Sequence, residues 1–289
     1  MKPAAFEYCR PATLSDALAA LDHEDAKILA GGQSLVPMMN FRLVQPARLV
    51  DINGLVELTG IAEEGGTIRI GALTRHAEAA RDATLRRCLP VVGEAMAEVA
   101  HVAIRNRGTI GGSLCHADPS AEWPLLAMLL DAAIELAGPD GARTVPAGDF
   151  LLAPLVTTIE EGEIVVAVRI PTPAPGTGMA FVEIAQRAGD FAVAAAGATV
   201  RLDGERIAEV RLALGGVSDA PVRLHAIEAA LAGAHPREIE AAVSDAADGL
   251  EPNDDMHASA DYRRRLAPVL ARRALERAAE RASNLAPTR

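Results

Sequence analysis

The residue types and spacings in this chain suit cradling a ligand better than attacking one. Two stretches set adjacent glycines beside small polar side chains: Ile28-Leu29-Ala30-Gly31-Gly32-Gln33-Ser34-Leu35 and Thr109-Ile110-Gly111-Gly112-Ser113-Leu114. Glycine accepts positive φ without a Cβ clash, so each stretch can gather its N–H groups into a concave nest for an anion. Separated by about eighty positions, the pair could hold two parts of one large phosphorylated ligand. Alone, either one reads equally as an ordinary strand-ending turn.

No catalytic constellation accompanies them. The chain has no G-x-S-x-G elbow, no H-E-x-x-H, no Walker P-loop and no G-x-G-x-x-G, and its seven histidines are scattered. His101 and His116 flank the second glycine pair without a carboxylate–histidine spacing that suggests zinc. Cys9, Cys88 and Cys115 are widely spaced and lack a C-x-x-C, which argues against a disulfide framework and against a zinc or iron–sulfur site on this chain. No catalytic residue and no metal ligand is expected, so the chemistry belongs to a bound cofactor.

The elements that must position the two nests follow from patterning. In residues 1–57, Phe6–Tyr8, Ile28–Ala30 and Leu49–Ile52 read as strands. Thr13 caps a helix over Leu14–Leu21, and a short helix or irregular turn covers Val36–Leu43. Residues 58–171 begin with a hairpin across Gly65-Gly66 and continue into a polar helix opened by Thr74. Pro90 opens a further helix. Asp118 as N-cap with Pro119 at the first helical position starts a helix running to about Leu130. Ala133–Leu136 and Arg143–Val145 form a second hairpin, and Glu163–Ile170 is a strand. Pro171–Gly178 reads as a linker. Beyond it, in residues 179–289, three antiparallel strands (Met179–Ala185, Phe191–Leu202, Ile207–Leu214) precede helices at Leu224–Ala232, Pro236–Ala247 and Asp261–Arg281.

Bulk properties narrow the partners. With 289 residues, half of them hydrophobic, the chain can build one large domain or two to three smaller ones. A net charge of −11 opposes binding to nucleic acid. The opening Met1–Glu7 has no apolar stretch resembling a secretory leader, and Leu125–Leu130 is too short to span a bilayer, so the cytoplasm is the expected location.

Taken with their neighbours, the two nests are more specific. Lys27–Met39 and Arg105–Pro119, together with Gly71-Ala72-Leu73-Thr74-Arg75-His76 and Arg187-Ala188-Gly189-Asp190-Phe191-Ala192, closely resemble the FAD-binding medium subunit of molybdenum hydroxylases. That group includes carbon monoxide dehydrogenase medium subunits and the flavin domain of xanthine dehydrogenase. The resemblance implies an α+β chain: a vanillyl-alcohol-oxidase (PCMH)-type FAD-binding domain of two α/β subdomains, then a three-stranded antiparallel sheet with helices. It implies FAD between the subdomains, with Ile28–Leu35 and Thr109–Ser113 holding the pyrophosphate and adjoining ribityl or ribose groups. Ser113 stands where the family often has asparagine, which shortens its reach. Glu122 matches an acid that contacts the flavin in xanthine-type relatives. Asp118 is a further cofactor-binding candidate as well as a cap. Asp190 and Phe191 would approach the isoalloxazine ring, and Glu183 stands where many relatives carry lysine. The implied partners are a small 2Fe–2S subunit and a large molybdopterin subunit, in a dimer of heterotrimers that discharges electrons to an external acceptor. The rival readings are a self-sufficient FAD-dependent oxidase and a non-redox nucleotide-binding scaffold.

Overall fold

The computed structural model describes residues 2–285, so the outer ends of the first and last expected segments lie outside it. The chain opens with a parallel sheet of β1 (Glu7–Cys9), β2 (Ala26–Leu29) and β3 (Arg48–Asp51), ordered β1-β3-β2. Parallel neighbours need crossovers. The first is the helix Leu14–Leu21, whose N-cap Thr13 accepts the Asp16 N–H at 3.1 Å. The second contains the first glycine pair and the helix Leu35–Asn40. Ala17, Val50, Ile52, Leu55 and Leu58 close a small core beneath this unit.

The second sheet is antiparallel throughout. Its strands β4 (Ile61–Glu64), β5 (Thr67–Gly71), β6 (Ala133–Gly138), β7 (Gly141–Pro146) and, later, Ile164–Pro171 come from hairpins and long excursions rather than the crossovers of an α/β unit. A small hairpin, β8 (Leu151–Ala153) with β9 (Val156–Thr157), precedes β10 (Ile164–Pro171), and the sheet order is β4-β5-β10-β6-β7. Register is pinned across three strands: Arg69 Nε donates to Glu135 Oε2 at 3.0 Å, and Arg169 pairs with the other oxygen of the same carboxylate.

The helix expected from Asp118 starts later. It spans Glu122–Leu129 with Ala121 as N-cap. Asp118 instead accepts the Ser120 N–H at 2.8 Å, an Asx turn that competes with helix initiation. This helix and Pro90–Glu98 pack against the third sheet, and one apolar core containing Ile70, Trp123, Phe150, Phe181 and Ala213 joins them to the second.

The connection to the last sheet is shorter than the expected linker. β10 runs through Pro171, and β11 (Thr177–Ala185) begins after residues 172–176. β11, β12 (Ala192–Asp203) and β13 (Arg206–Gly215) form the expected meander, but the sheet has a fourth strand, β14 (Val222–Arg223). Two residues are too few to leave a periodic signal. The region expected as one helix over 236–247 is a 3-10 turn, Pro236–Glu238, and a short helix, Ile239–Ala242. The helix Ala260–Leu285 lies along β11 and β12 on an alanine-rich face. Its buried Arg263 donates to the carbonyls of Val193 and Gly216 and pairs with Asp255 at 2.6 Å. That brace fixes the start of β12, next to the connection that carries Asp190 and Phe191. Among the described residues no helix is long and apolar enough to cross a membrane.

Candidate cofactor site

The first glycine segment leaves β2 and turns into the helix Leu35–Asn40. Gly32 sits at φ 71°, the left-handed region that favours glycine. Gly31 is required by crowding: a Cβ there would overlap the Arg107 carbonyl oxygen and lie 2.9 Å from the Gly108 Cα. Polar side chains brace the turn. Gln33 Nε2 donates to the Gly31 carbonyl at 2.9 Å, and Asn53 Nδ2 donates to the Ala30 carbonyl at 2.7 Å. Asn53 is itself held: its Oδ1 accepts from Arg75 at 2.7 Å, and its N–H donates to Asp51 at 2.9 Å. Burial opposes ionisation of Asp51, but the Tyr8 hydroxyl and the Asn53 N–H keep its carboxyl below the usual range.

The second glycine segment opens a helix instead of ending a strand. Thr109 is the N-cap of Ile110–His116, and its Oγ1 accepts the Gly112 N–H at 3.1 Å, so Gly111 and Gly112 fall in the first turn. Residues 72–76 run antiparallel beside it. Gly111 N–H donates to the Ala72 carbonyl at 2.8 Å, Ile110 N–H to Thr74 at 3.1 Å, and His76 N–H to Gly108 at 3.1 Å. A Cβ on Gly111 would lie 2.6 Å from that of Ala72. Glycine here permits close packing of two main-chain segments.

The two segments border a single cavity of about 930 Å³, near the upper end of the roughly 300–1,000 Å³ usual for small-molecule sites. Most of the expected site residues line it: Ile28, Ala30, Gly31, Gly32, Gln33, Ser34 and Leu35 from the first segment, Thr109, Gly111, Gly112 and Ser113 from the second, and Glu122, Asp190 and Phe191. Leu29, Ile110 and Asp118 are not in its wall; Ile110 is fully buried in the main core. Gly189 and the 59% exposed Phe191 sit on the β11–β12 connection. Main-chain N–H groups of the first segment and hydroxyls of both provide donors for phosphate. In the second segment the N–H groups of Ile110, Gly111, Gly112 and Ser113 are already spent on Thr74, Ala72 and Thr109. Leu73, Val99 and Ile104 provide apolar wall for a ring.

An acidic cluster lies at and behind one wall, of which Glu122 alone faces the cavity. Glu122 is 8% exposed, and burial pushes its carboxyl up to about 7, with Asp118 and Glu98 adding repulsion. Burial likewise raises Glu183 to about 8, reinforced by Glu122 and Glu98. One oxygen of Glu183 is sealed from solvent with no hydrogen-bond partner. Glu94, one helical turn before Glu98, differs: it accepts from the Phe181 N–H and pairs with Arg281. Sequence reasoning also passed over His76, which lines the cavity beside Gly108. Its motif was visible, but the partner that orients it, Trp123, is 47 positions away.

Comparison with known proteins identifies the family. The family described as FAD binding domain in molybdopterin dehydrogenase matches residues 4–173, and the CO dehydrogenase flavoprotein C-terminal domain matches residues 179–278. The chain is 40% identical over 287 residues to the 6-hydroxypseudooxynicotine dehydrogenase complex subunit alpha of Paenarthrobacter nicotinovorans, covering 98% of this chain and 97% of that protein. It is 39% identical to the carbon monoxide dehydrogenase medium chain of Hydrogenophaga pseudoflava, covering 96% and 98% respectively. A solved structure of carbon monoxide dehydrogenase from Hydrogenophaga pseudoflava, lacking the Mo-pyranopterin moiety of its cofactor, superposes with a TM-score of 0.94 at 40% identity, over 97% of this chain and 99% of that one. Two glycine segments meeting over a dinucleotide-sized cavity, in a chain matched along nearly its whole length, place this protein in the family of FAD-binding medium subunits of molybdenum-containing dehydrogenases and hydroxylases.

Proposed function

We propose that this chain carries electrons, through FAD in the cavity, from 2Fe–2S clusters on a small partner chain to an external acceptor such as dioxygen, NAD or a quinone. A large molybdopterin partner chain would oxidise the organic or gaseous substrate. The reading extends to a dimer of such heterotrimers in the cytoplasm, and to a chain divided near residues 57 and 172–178. The observation that carries it is the convergence of both glycine segments on one cavity.

The residues fit the cofactor. The backbone at Gly31–Ser34, with the hydroxyls of Ser34 and Thr109, would hold the pyrophosphate and its neighbouring sugar oxygens, and Gly111–Ser113 would border them. Leu73, Val99, Ile104 and Phe191 offer apolar surface to the ring system. FAD when bound supplies the one- and two-electron chemistry, and the protein contributes binding, orientation and electrostatic tuning. Glu122 would set the charge of one wall, with Glu183 acting on it from outside the wall. The different substrates in the relatives' names, a nicotine derivative and carbon monoxide, fit a division of labour in which substrate choice lies on another polypeptide.

The test is a visible absorption spectrum of the purified complex and of this chain alone, before and after acid release of cofactor. FAD released from this chain, with iron and molybdenum only in the complex, is the expected outcome. A complex without flavin would overturn the proposal, and bleaching of the lone chain by an organic substrate would replace it with a self-sufficient oxidase.

A further inference from the structure

His76 stands in the cavity wall with a donor that the chain itself does not use. It opens the short helix His76–Ala79, is 6% exposed, and is tied to the second glycine segment through its backbone. Trp123 Nε1 lies 3.0 Å from His76 Nδ1. An indole N–H can only donate, so Nδ1 must be the lone-pair nitrogen. In a neutral imidazole the proton then resides on Nε2. The ring is neutral because burial, with Arg75 and Arg105 nearby, lowers its pKa to about 4.

Nε2 makes no hydrogen bond within the described residues, and it is not among the polar atoms sealed from solvent without a partner. It therefore reaches the cavity surface, which His76 lines. Its position is defined by Gly108, where a Cβ would lie 2.8 Å from Nε2 and 2.6 Å from Cδ2. Gly31 packs against this same Arg107–Gly108 backbone. The free N–H thus stands where the two glycine segments meet, and a largely buried donor calls for an acceptor from whatever fills the space.

We infer that His76 is a binding residue of the cofactor site, donating from Nε2 to an oxygen in the phosphate-bearing chain of the flavin dinucleotide, in the only tautomer that Trp123 permits. The inference rests on the flavin reading and adds to it a residue outside both glycine segments. Trp123 is the positioning residue: it leaves the ring a donor and holds it in place from the core.

The test uses the purified complex stripped of flavin and titrated with FAD, as wild type, His76→Leu and His76→Gln. Glutamine can restore an N–H near the position of Nε2, whereas leucine fills the volume without a donor. Loss of one such hydrogen bond should raise the Kd for FAD about tenfold in His76→Leu, with His76→Gln within about threefold of wild type. The second readout needs no variant. In the full chain labelled with ¹⁵N-histidine, His76 should show the Nε2–H tautomer near pH 7, and its Nε2–H signal should shift when FAD is added. Unchanged affinity in His76→Leu, an Nδ1–H tautomer, or a signal unmoved by bound FAD each overturns the inference while leaving the flavin reading intact. A wild-type complex that neither releases nor takes up FAD would instead overturn the flavin reading itself.

Discussion

At the scale of single residues, Gly31 and Glu183 make opposite kinds of demand. Gly31 has no room for a side chain, because the Arg107–Gly108 backbone occupies the space. Gly31→Ala should push the two glycine segments apart, at a strain of about 1–3 kcal/mol, and the FAD content of the purified complex should fall while its far-UV circular dichroism is retained. Glu183 is enclosed without a counter-charge. Its native carboxyl keeps a proton up to about pH 8, whereas an ordinary glutamate releases it near 4.5. The folded state therefore binds a proton that the unfolded chain has lost, and stability declines as pH rises from the lower value through the higher. Glu183→Gln should remove this decline, making the variant more stable than wild type at pH 8 by on the order of 1–2 kcal/mol. Urea midpoints at about pH 5 and pH 8 would check it, the two proteins converging at the acid end. His76 has the opposite sign. Its pKa is depressed from 6.5 to about 4, so it withdraws stability as pH falls through that interval.

At the scale of elements, the short helix Ile110–His116 depends on its cap. Thr109 Oγ1 is the acceptor for the Gly112 N–H, and two glycines in the first turn weaken the helix at the point where it borders the cavity. Thr109→Ala should lose about 1 kcal/mol in urea unfolding and lower FAD retention, and Thr109→Ser should recover most of both. Elements also show what a sequence can disclose. The parallel strands, both hairpins of the second sheet, the Thr13-capped helix and the three-strand meander were legible, because alternation, glycine turns and a capping residue act locally. The helix start at Asp118-Pro119 was misplaced because Asp118 can serve an Asx turn as well as a cap, and the choice depends on tertiary packing. β14 was missed because it is a short edge strand set by β13. In the site, the glycine segments announced themselves by composition. His76 did not, since its meaning depends on an indole brought to it by the fold.

At the scale of the whole molecule, the cavity is walled by the first sheet unit, the helical layer and the β11–β12 connection together. Ligand binding there should stabilise the assembly and not just a loop. Flavin at a free concentration of 100 times its Kd should add about 2.7 kcal/mol, read as a higher melting temperature of the reconstituted complex than of the stripped one. Hydrogen exchange should slow at residues 28–35, 108–113 and 189–191 together; slowing at only one of them would argue against a shared ligand. The abutment of Gly31 on Arg107 and Gly108 also bears on heredity. The atoms it meets are main chain, present whatever side chains stand at those positions, so a replacement at Gly31 has no second-site suppressor among them. Segments some eighty positions apart therefore meet without mutational epistasis: whichever side chain stands at position 107, Gly31 faces the same carbonyl.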